Sequence, residues 1–295
     1  MRVVLASCRI LPELDPDETM LVQALRAAGI RASVVPWDGD TTPFRDADLV
    51  VLRSTWNYFE DVECFLEWVR ATEAITPVLN PFSTVQWNVH KTYLSELDKR
   101  GIAIIPTEFA QRGEHIDIAR LMADRNWNRI VVKPTVSAGS FRTETFASKD
   151  VLAAQAFFDA LVADRDAMVQ MWMPSVMTYG ERSLVWIDGV FSHAIRKSPR
   201  FAADAEQVSD EVPIADDERA FGERVLAPIK DGLLYARVDM VRDDQGVLRV
   251  MELELVEPSL FFKQVPRALE RFVAAIARHL KRAADFARDG NETLG

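Results

Sequence analysis

VDMVRDDQGVLRVMELELVEP, residues 238–258, reads as a β-hairpin: two apolar runs joined by a polar turn at 243–246. Asp239, Glu252 and Glu254 interrupt those runs, and carboxylates enter a core only when something pairs with them. Residues two apart on a strand share a face, so Glu252 and Glu254 point one way and Leu253 and Leu255 the other. A four-residue loop sets Asp239 opposite Val250, diagonal to Glu252 and on its face, together with Tyr235 and Arg237. Three converging carboxylates repel one another unless a hard cation lies between them. Magnesium takes oxygen ligands and bridges them to phosphates. The competing reading is a solvated acidic face, against which the apolar flanks on both sides weigh.

Working outward, Lys133 ends the buried-strand text RIVVKP (129–134), where an ammonium wants an anion. The loop TVSAGSFRT (135–143) follows, with Ser137, Ala138, Gly139 and Ser140 at its centre. Such turns cradle phosphate oxygens on backbone N–H groups, though a plain hairpin turn fits the loop as well. No GxxxxGK[ST] occurs, which excludes P-loop chemistry. AMVQMWM (167–173) is a strand whose Gln170, Met171, Trp172 and Met173 form either an adenine slot or ordinary core. SHAIRKSP (192–199) sets Arg196 and Lys197 at a strand end, as a phosphate clamp or a solvated pair.

The first 85 or so residues alternate strand and helix, the pattern of a parallel α/β sheet. Ligands bind such sheets beyond the carboxyl ends of the strands. There stands VVLRSTWNYFED (50–61), in which Arg53 can fork a carboxylate, Ser54, Thr55 and Asn57 add polar groups, and Trp56 walls a small ligand. The segment leaving the first strand, 7–17, can complete the pocket; a helix-capping turn is the bland alternative. NVHKTYLSELDKRG (88–101) reads as one helix, and from about 180 onward the text is hairpins, a helix, the opening hairpin and a long closing amphipathic helix.

Over 295 residues the net charge is −10, which argues against a nucleic-acid binder. Cys8 and Cys64 form no disulfide or zinc framework, and no apolar run approaches a membrane span or a signal peptide, so a cytoplasmic protein is expected. The four histidines lack metal-ligand spacing, and no GxSxG elbow appears.

The order of these features is more specific than any one of them. RSTWNYF, NVHKTYL, VVKPTVSAGSFRT, SHAIRKSP, YARVD and ELELVEPSLFF together resemble the ATP-grasp superfamily in its glutathione synthetase and D-alanine–D-alanine ligase branch. Within it they look most like the group containing cycloserine synthetase, a cyclo-ligase acting on O-ureidoserine. The resemblance spans nearly the whole chain. It implies an α/β substrate domain over 1–88, a central ATP-grasp subdomain over 89–168, a C-terminal subdomain over 169–287 and a frayed tail at 288–295. The two α+β subdomains, with antiparallel sheets, would grip ATP.

By the same resemblance Lys91 and Lys133 contact nucleotide phosphates, residues 137–140 close over the γ-phosphate, and residues 170–173 line the adenine site. Arg237 neutralises the transferring phosphoryl group, beside Lys197 and Arg196. Asp239, Glu252 and Glu254 hold two magnesium ions, for which manganese can substitute. Glu254 departs from the asparagine usual at the third ligand position. The implied reaction is a C–N ligation through an acyl phosphate on a small amino-acid-derived carboxylate: cyclisation first, dipeptide-type ligation next. A phosphotransferase on the same fold and a nucleotide-binding module without catalysis are the other readings, and the intact Lys133, Arg237 and carboxylates weigh against the module. No nucleic acid or membrane partner is expected, and a homo-oligomer is compatible with the sequence.

Overall fold

The computed structural model describes residues 1–11, 15–198 and 207–292, with side chains to 283. Three sheets follow one another along the chain. The first is parallel, ordered β2-β1-β3-β4, from β1 (Arg2–Ser7), β2 (Arg31–Pro36), β3 (Leu49–Ser54) and β4 (Val78–Leu79). Its strands are near-continuous apolar runs because helices cover both faces: α1 (Glu18–Ala27), α2 (Thr42–Arg45) and α3 (Val62–Glu73) lie between its strands in sequence.

Two further helices, α4 (Phe82–Asn88) and α5 (Tyr93–Lys99), lead to the second sheet. The helix expected over 88–101 therefore begins only at Tyr93: Asn88 ends α4, and residues 89–92 are not helical. Tertiary bonds account for the break. Asn88 gives its side chain to Leu253 O and Leu255 N at 2.8 Å each, and the Lys91 N–H donates to Thr135 O at 2.8 Å. The second sheet is antiparallel, ordered β5-β8-β6-β7, from β5 (Thr107–Ala110), β6 (Arg129–Pro134), β7 (Glu144–Ala147) and β8 (Ala167–Met171). It carries α6 (Ile118–Arg125) and α7 (Val151–Val162). The expected boundary at 168/169 falls inside β8.

The third sheet, also antiparallel, runs β11-β10-β9-β12-β13: β9 (Glu181–Ile187), β10 (Val190–Ser198), β11 (Gln207–Val212), β12 (Tyr235–Arg242) and β13 (Leu248–Glu254). Helix α8 (Asp216–Leu226) precedes β12, and α9 (Pro266–Glu292) closes the chain. Helix α9 thus runs through most of the stretch expected to fray, and residues 293–295 lie outside the described set. Its Phe272, Ile276 and Leu280 share one core with Leu5 and Leu21 of the first domain and Ile187 and Tyr235 of the third sheet. That shared core ties the first domain to the third sheet. No helix among the described residues is long and apolar enough to cross a membrane.

The hairpin that opened the sequence reading differs in register from the expectation. Its loop has five residues, since Arg242 pairs with Leu248, and a bulge shifts the ladder again between Asp239 and Met240. Asp239 consequently faces Glu252, and Arg237 faces Glu254. One slip would have sent the carboxylates to opposite faces; two slips sum to an even shift and keep them together. Strand β13 lies at the sheet edge, where unpaired backbone groups invite association. Here Tyr93 Oη accepts from Leu253 N at 2.9 Å, Asn80 Nδ2 donates to Leu255 O at 2.7 Å, and Asn88 covers the groups between. The edge is closed by side chains from the first 100 residues, which holds Glu252 and Glu254 in place.

Candidate active site

A cavity of about 430 Å³ opens where the second and third sheets face each other, with Trp56 and Phe59 of the first domain on its wall. Lys91, Lys133, Lys197, Arg237, Glu252 and Glu254 all reach its lining, as do residues 137–140 and 170–173. Asp239 lies just behind, 1% exposed. Arg196 does not join them. It points to the other face of β10 and is exposed, its side chain lying over Gly180.

Charges in this cluster are matched pair by pair. Arg237 donates to Asp239 from Nε at 2.9 Å and Nη2 at 2.8 Å, and pairs with Glu254. Lys197 contacts Asp239 at 3.1 Å and also pairs with Glu181. Lys91 bridges Glu252 at 3.0 Å and Ser137 O at 2.8 Å. Burial opposes ionisation of Asp239, yet Arg237 and Lys197 hold its carboxyl well below the usual range. Glu252 is likewise lowered, burial being outweighed by Lys91 and Lys133. Burial wins elsewhere: it pushes Glu254 up to about 7 despite Arg237, and Glu257 and Glu181 up to about 8.

The oxygen-only donor set fits magnesium, which typically takes one or two carboxylates and completes its shell with phosphates and water. The described residues form no ready-made cage of three ligating side chains. Glu252 and Glu254 face the cavity, whereas Asp239 is engaged by two cations. Because metal binding needs ionised carboxylates, a magnesium nucleotide entering at pH 7 should expel the protons that burial keeps on Glu254 and Glu257. Calorimetry in buffers of different ionisation enthalpy is expected to read release of about 1.4 protons at pH 7, nearly vanishing by about pH 9, with affinity rising over that interval. No release at pH 7 would mean these groups are already ionised.

The Lys133 ammonium has no hydrogen bond or ion pair among the described residues, and partial burial lowers its pKa. A half-buried, unpaired ammonium on a cavity wall is suited to an anionic ligand. Were Lys133 to meet a nucleotide phosphate, Lys133→Met would remove a charge-assisted contact of about 1.5–3 kcal/mol, and nucleotide affinity by calorimetry should fall roughly 10- to 150-fold. An unchanged Kd would return it to an ordinary strand-end lysine.

The loop of residues 137–143 bends through left-handed conformations at Gly139, Ser140 and Arg142, with φ of 57°, 62° and 46°. Gly139 adopts that angle freely; the other two are held by what surrounds them. Phe141 stacks on Phe59 with centroids 4.6 Å apart, and Arg142 pairs with Asp164 at 3.1 Å. On the opposite wall, Gln170 Nε2 donates to Thr107 Oγ1 at 3.0 Å, and the N–H groups of Met171 and Trp172 are engaged by Pro106 O and Arg129 O.

The first-domain residues divide. Trp56 lines the cavity and donates from Nε1 to Glu257 O at 3.1 Å. Arg53, Ser54 and Thr55 lie buried beneath the wall. Asn57 turns away, donating to Asp38 at 2.9 Å and accepting from Trp37 at 2.7 Å. Residues 12–14 of the segment after β1 lie outside the described residues. Arg53 sits between the rings of Tyr235 and Phe272, 5.7 and 5.9 Å from their centroids, its Nε and Nη1 buried without partners among the described residues. Sequence reading missed Phe59, Glu181, Met251, Glu257 and Ser259 on the lining. Glu181 meets Lys197 through a bulge in the β9–β10 ladder, which no local signal announces.

The model of the N-terminal domain of D-cycloserine synthetase DcsG matches residues 3–80. The cycloserine biosynthesis protein DcsG of Streptomyces lavendulae is 31% identical over 287 residues, spanning 91% of this chain and 95% of that protein. This chain belongs to the DcsG family. The crystal structure of D-cycloserine synthetase DcsG superposes with a TM-score of 0.85 at 28% identity, covering 95% of this chain and all of that one. The D-alanine–D-alanine ligase of Bacillus anthracis complexed with ATP gives 0.68 at 17% identity over 98% and 99% of the two chains. A RimK domain ATP-grasp protein from Sphaerobacter thermophilus gives 0.69 at 19% over 94% and 98%. These two share the fold, which is ATP-grasp. The DcsG-family chain is thus an ATP-dependent ligase built on that fold.

Proposed function

We propose that this DcsG-family enzyme uses ATP to activate the carboxylate of a small amino-acid-derived substrate and forms a C–N bond within the same molecule, closing a ring. The observation that carries this is a single cavity with a phosphate-ready end and a small-ligand end. Lys91, Lys133, Arg237, Glu252 and Glu254 mark the first, Trp56 and Phe59 the second. In the proposed reaction a substrate carboxylate oxygen attacks the γ-phosphorus and ADP leaves. The substrate nitrogen then attacks the acyl carbon and loses a proton, the acyl C–O bond breaks, and inorganic phosphate leaves with that bond's electron pair.

Lys91 and Lys133 would hold the phosphates, Arg237 would neutralise the transferring group, and the loop at 137–140 would keep water from the acyl phosphate. Residues 170–173 would line the adenine. Glu252 and Glu254, with Asp239 behind them, would hold two magnesium ions, replaceable by manganese, which would offset the negative charge of the phosphates. Arg53, whose Nε and Nη1 lie buried beneath the cavity wall without partners among the described residues, would bind an oxygen of a substrate that reaches through that wall. Arg53→Ala is expected to raise the substrate KM at least about ten-fold. The cytoplasm, where ATP is made, is the proposed location.

Purified protein given ATP, magnesium and O-ureidoserine should release ADP and phosphate in step with a cyclic product. A phosphorylated acceptor without phosphate release would favour the phosphotransferase. A dipeptide from paired amino acids, with no cyclic product from either enantiomer, would favour the intermolecular ligase.

A further inference from the structure

Asp17 occupies the N-cap position of α1, yet its side chain makes no cap for that helix. Asp is favoured there because its carboxylate accepts from the first free N–H groups of the helix. This carboxylate instead accepts from Leu260 N at 2.9 Å and Phe262 N at 2.8 Å, more than 240 residues away, and it is fully buried. Between those two N–H groups lies Phe261 with φ of 57°. A bulky residue in the left-handed region is a genuine outlier, maintained only where the surroundings over-determine it. His193 Nε2 holds the intervening Leu260 O at 3.0 Å from the other side.

The turn presents two groups to Arg237. The Phe261 ring lies 5.6 Å from the guanidinium carbon, and Ser259 O accepts from Arg237 Nη1 at 3.4 Å. Asp239 and Glu254 anchor the other side of the same guanidinium. Pulling on Asp17 therefore moves the platform on which Arg237 rests.

We propose that Asp17 is a positioning residue: by clamping Leu260 N and Phe262 N it holds the Phe261 turn that orients Arg237 toward the transferring phosphoryl group. The inference rests on the reading of Arg237 given above. It also makes the segment after β1, on the substrate side, a mechanical partner of the phosphoryl-transfer end, which sequence distance conceals.

The test uses the full chain, with Asp17→Asn and Phe261→Leu made singly and together. Asparagine keeps one acceptor and sets an amide N–H₂ against the other backbone N–H, so the clamp opens at nearly constant volume. Misplacement of a charge-neutralising group by about 1 Å costs on the order of 100-fold, so each single variant should lose roughly 10- to 100-fold in kcat with KM for ATP unchanged. The double variant should lose no more than the worse single one, since both act through one guanidinium. Multiplying losses, or an unchanged kcat in Asp17→Asn, would overturn the proposal. Should Asp17→Asn fail to fold, Phe261→Leu decides alone: an unchanged kcat refutes the platform. Arg237→Met with normal turnover would instead refute the reading of Arg237, whatever Asp17 does.

Discussion

Replacement of Glu252 by glutamine is expected to lower ATP-dependent turnover by about three orders of magnitude while the protein stays folded. Three features combine in that expectation. Glu252 faces the cavity from an edge strand whose backbone is fixed by Tyr93 and Asn88, which holds its side chain at the cavity wall. Lys91 and Lys133 keep it ionised against burial, so it brings a full charge to a bound magnesium. Glutamine has nearly the same volume and leaves Lys91 its bond to Ser137 O, but the buried Lys91 loses its ion pair, so the protein should stay folded while its melting temperature falls by a few degrees. Initial rates of ADP release, with circular dichroism as the control, would check it. Near-normal turnover would show that Glu252 holds no metal that matters.

Arg237→Met should be worse in both respects. Arg237 is 6% exposed, and its guanidinium neutralises Asp239 and Glu254 together. Removing one partner of a buried ion pair strands the other charge, which costs about 3–5 kcal/mol. Part of that cost is relieved because Glu254, already pushed up by burial to about 7, takes a proton. Catalytically, an arginine that meets the charge of a transferring phosphoryl group is worth about 10³–10⁵ in kcat. The variant is therefore expected to be inactive at 25 °C and to melt several degrees lower. Its stability should fall as pH rises from about 4.5, where Glu254 ionises in the unfolded chain but keeps its proton in the fold, and level off only above the folded value, which loss of Arg237 moves above about 7. A variant with wild-type melting and activity would remove Arg237 from the site.

Adjacent chemistry was legible in the linear text. Lys133 at the end of an apolar strand, a small-residue loop after it, and acids at alternate positions of a hairpin are local anomalies, because a buried charge must be answered somewhere. So was the parity of Glu252 and Glu254, which strand geometry imposes whatever the partner strand does. The parallel first domain followed from apolar runs alternating with amphipathic helices.

Pairing across distance was decided only by the tertiary structure. Two one-residue shifts in the β12–β13 ladder brought Asp239 opposite Glu252, and another bulge brought Glu181 to Lys197 while Arg196 faced away. Register depends on loop length and bulges, which cost little locally and are selected by packing on both faces. Asn57 was drawn off the site by Asp38 and Trp37, and Asp17 was drawn from its own helix to a turn near the other end of the chain. A polar side chain bonds the partners that folding leaves unsatisfied, and those partners do not exist until the sheets and α9 have met.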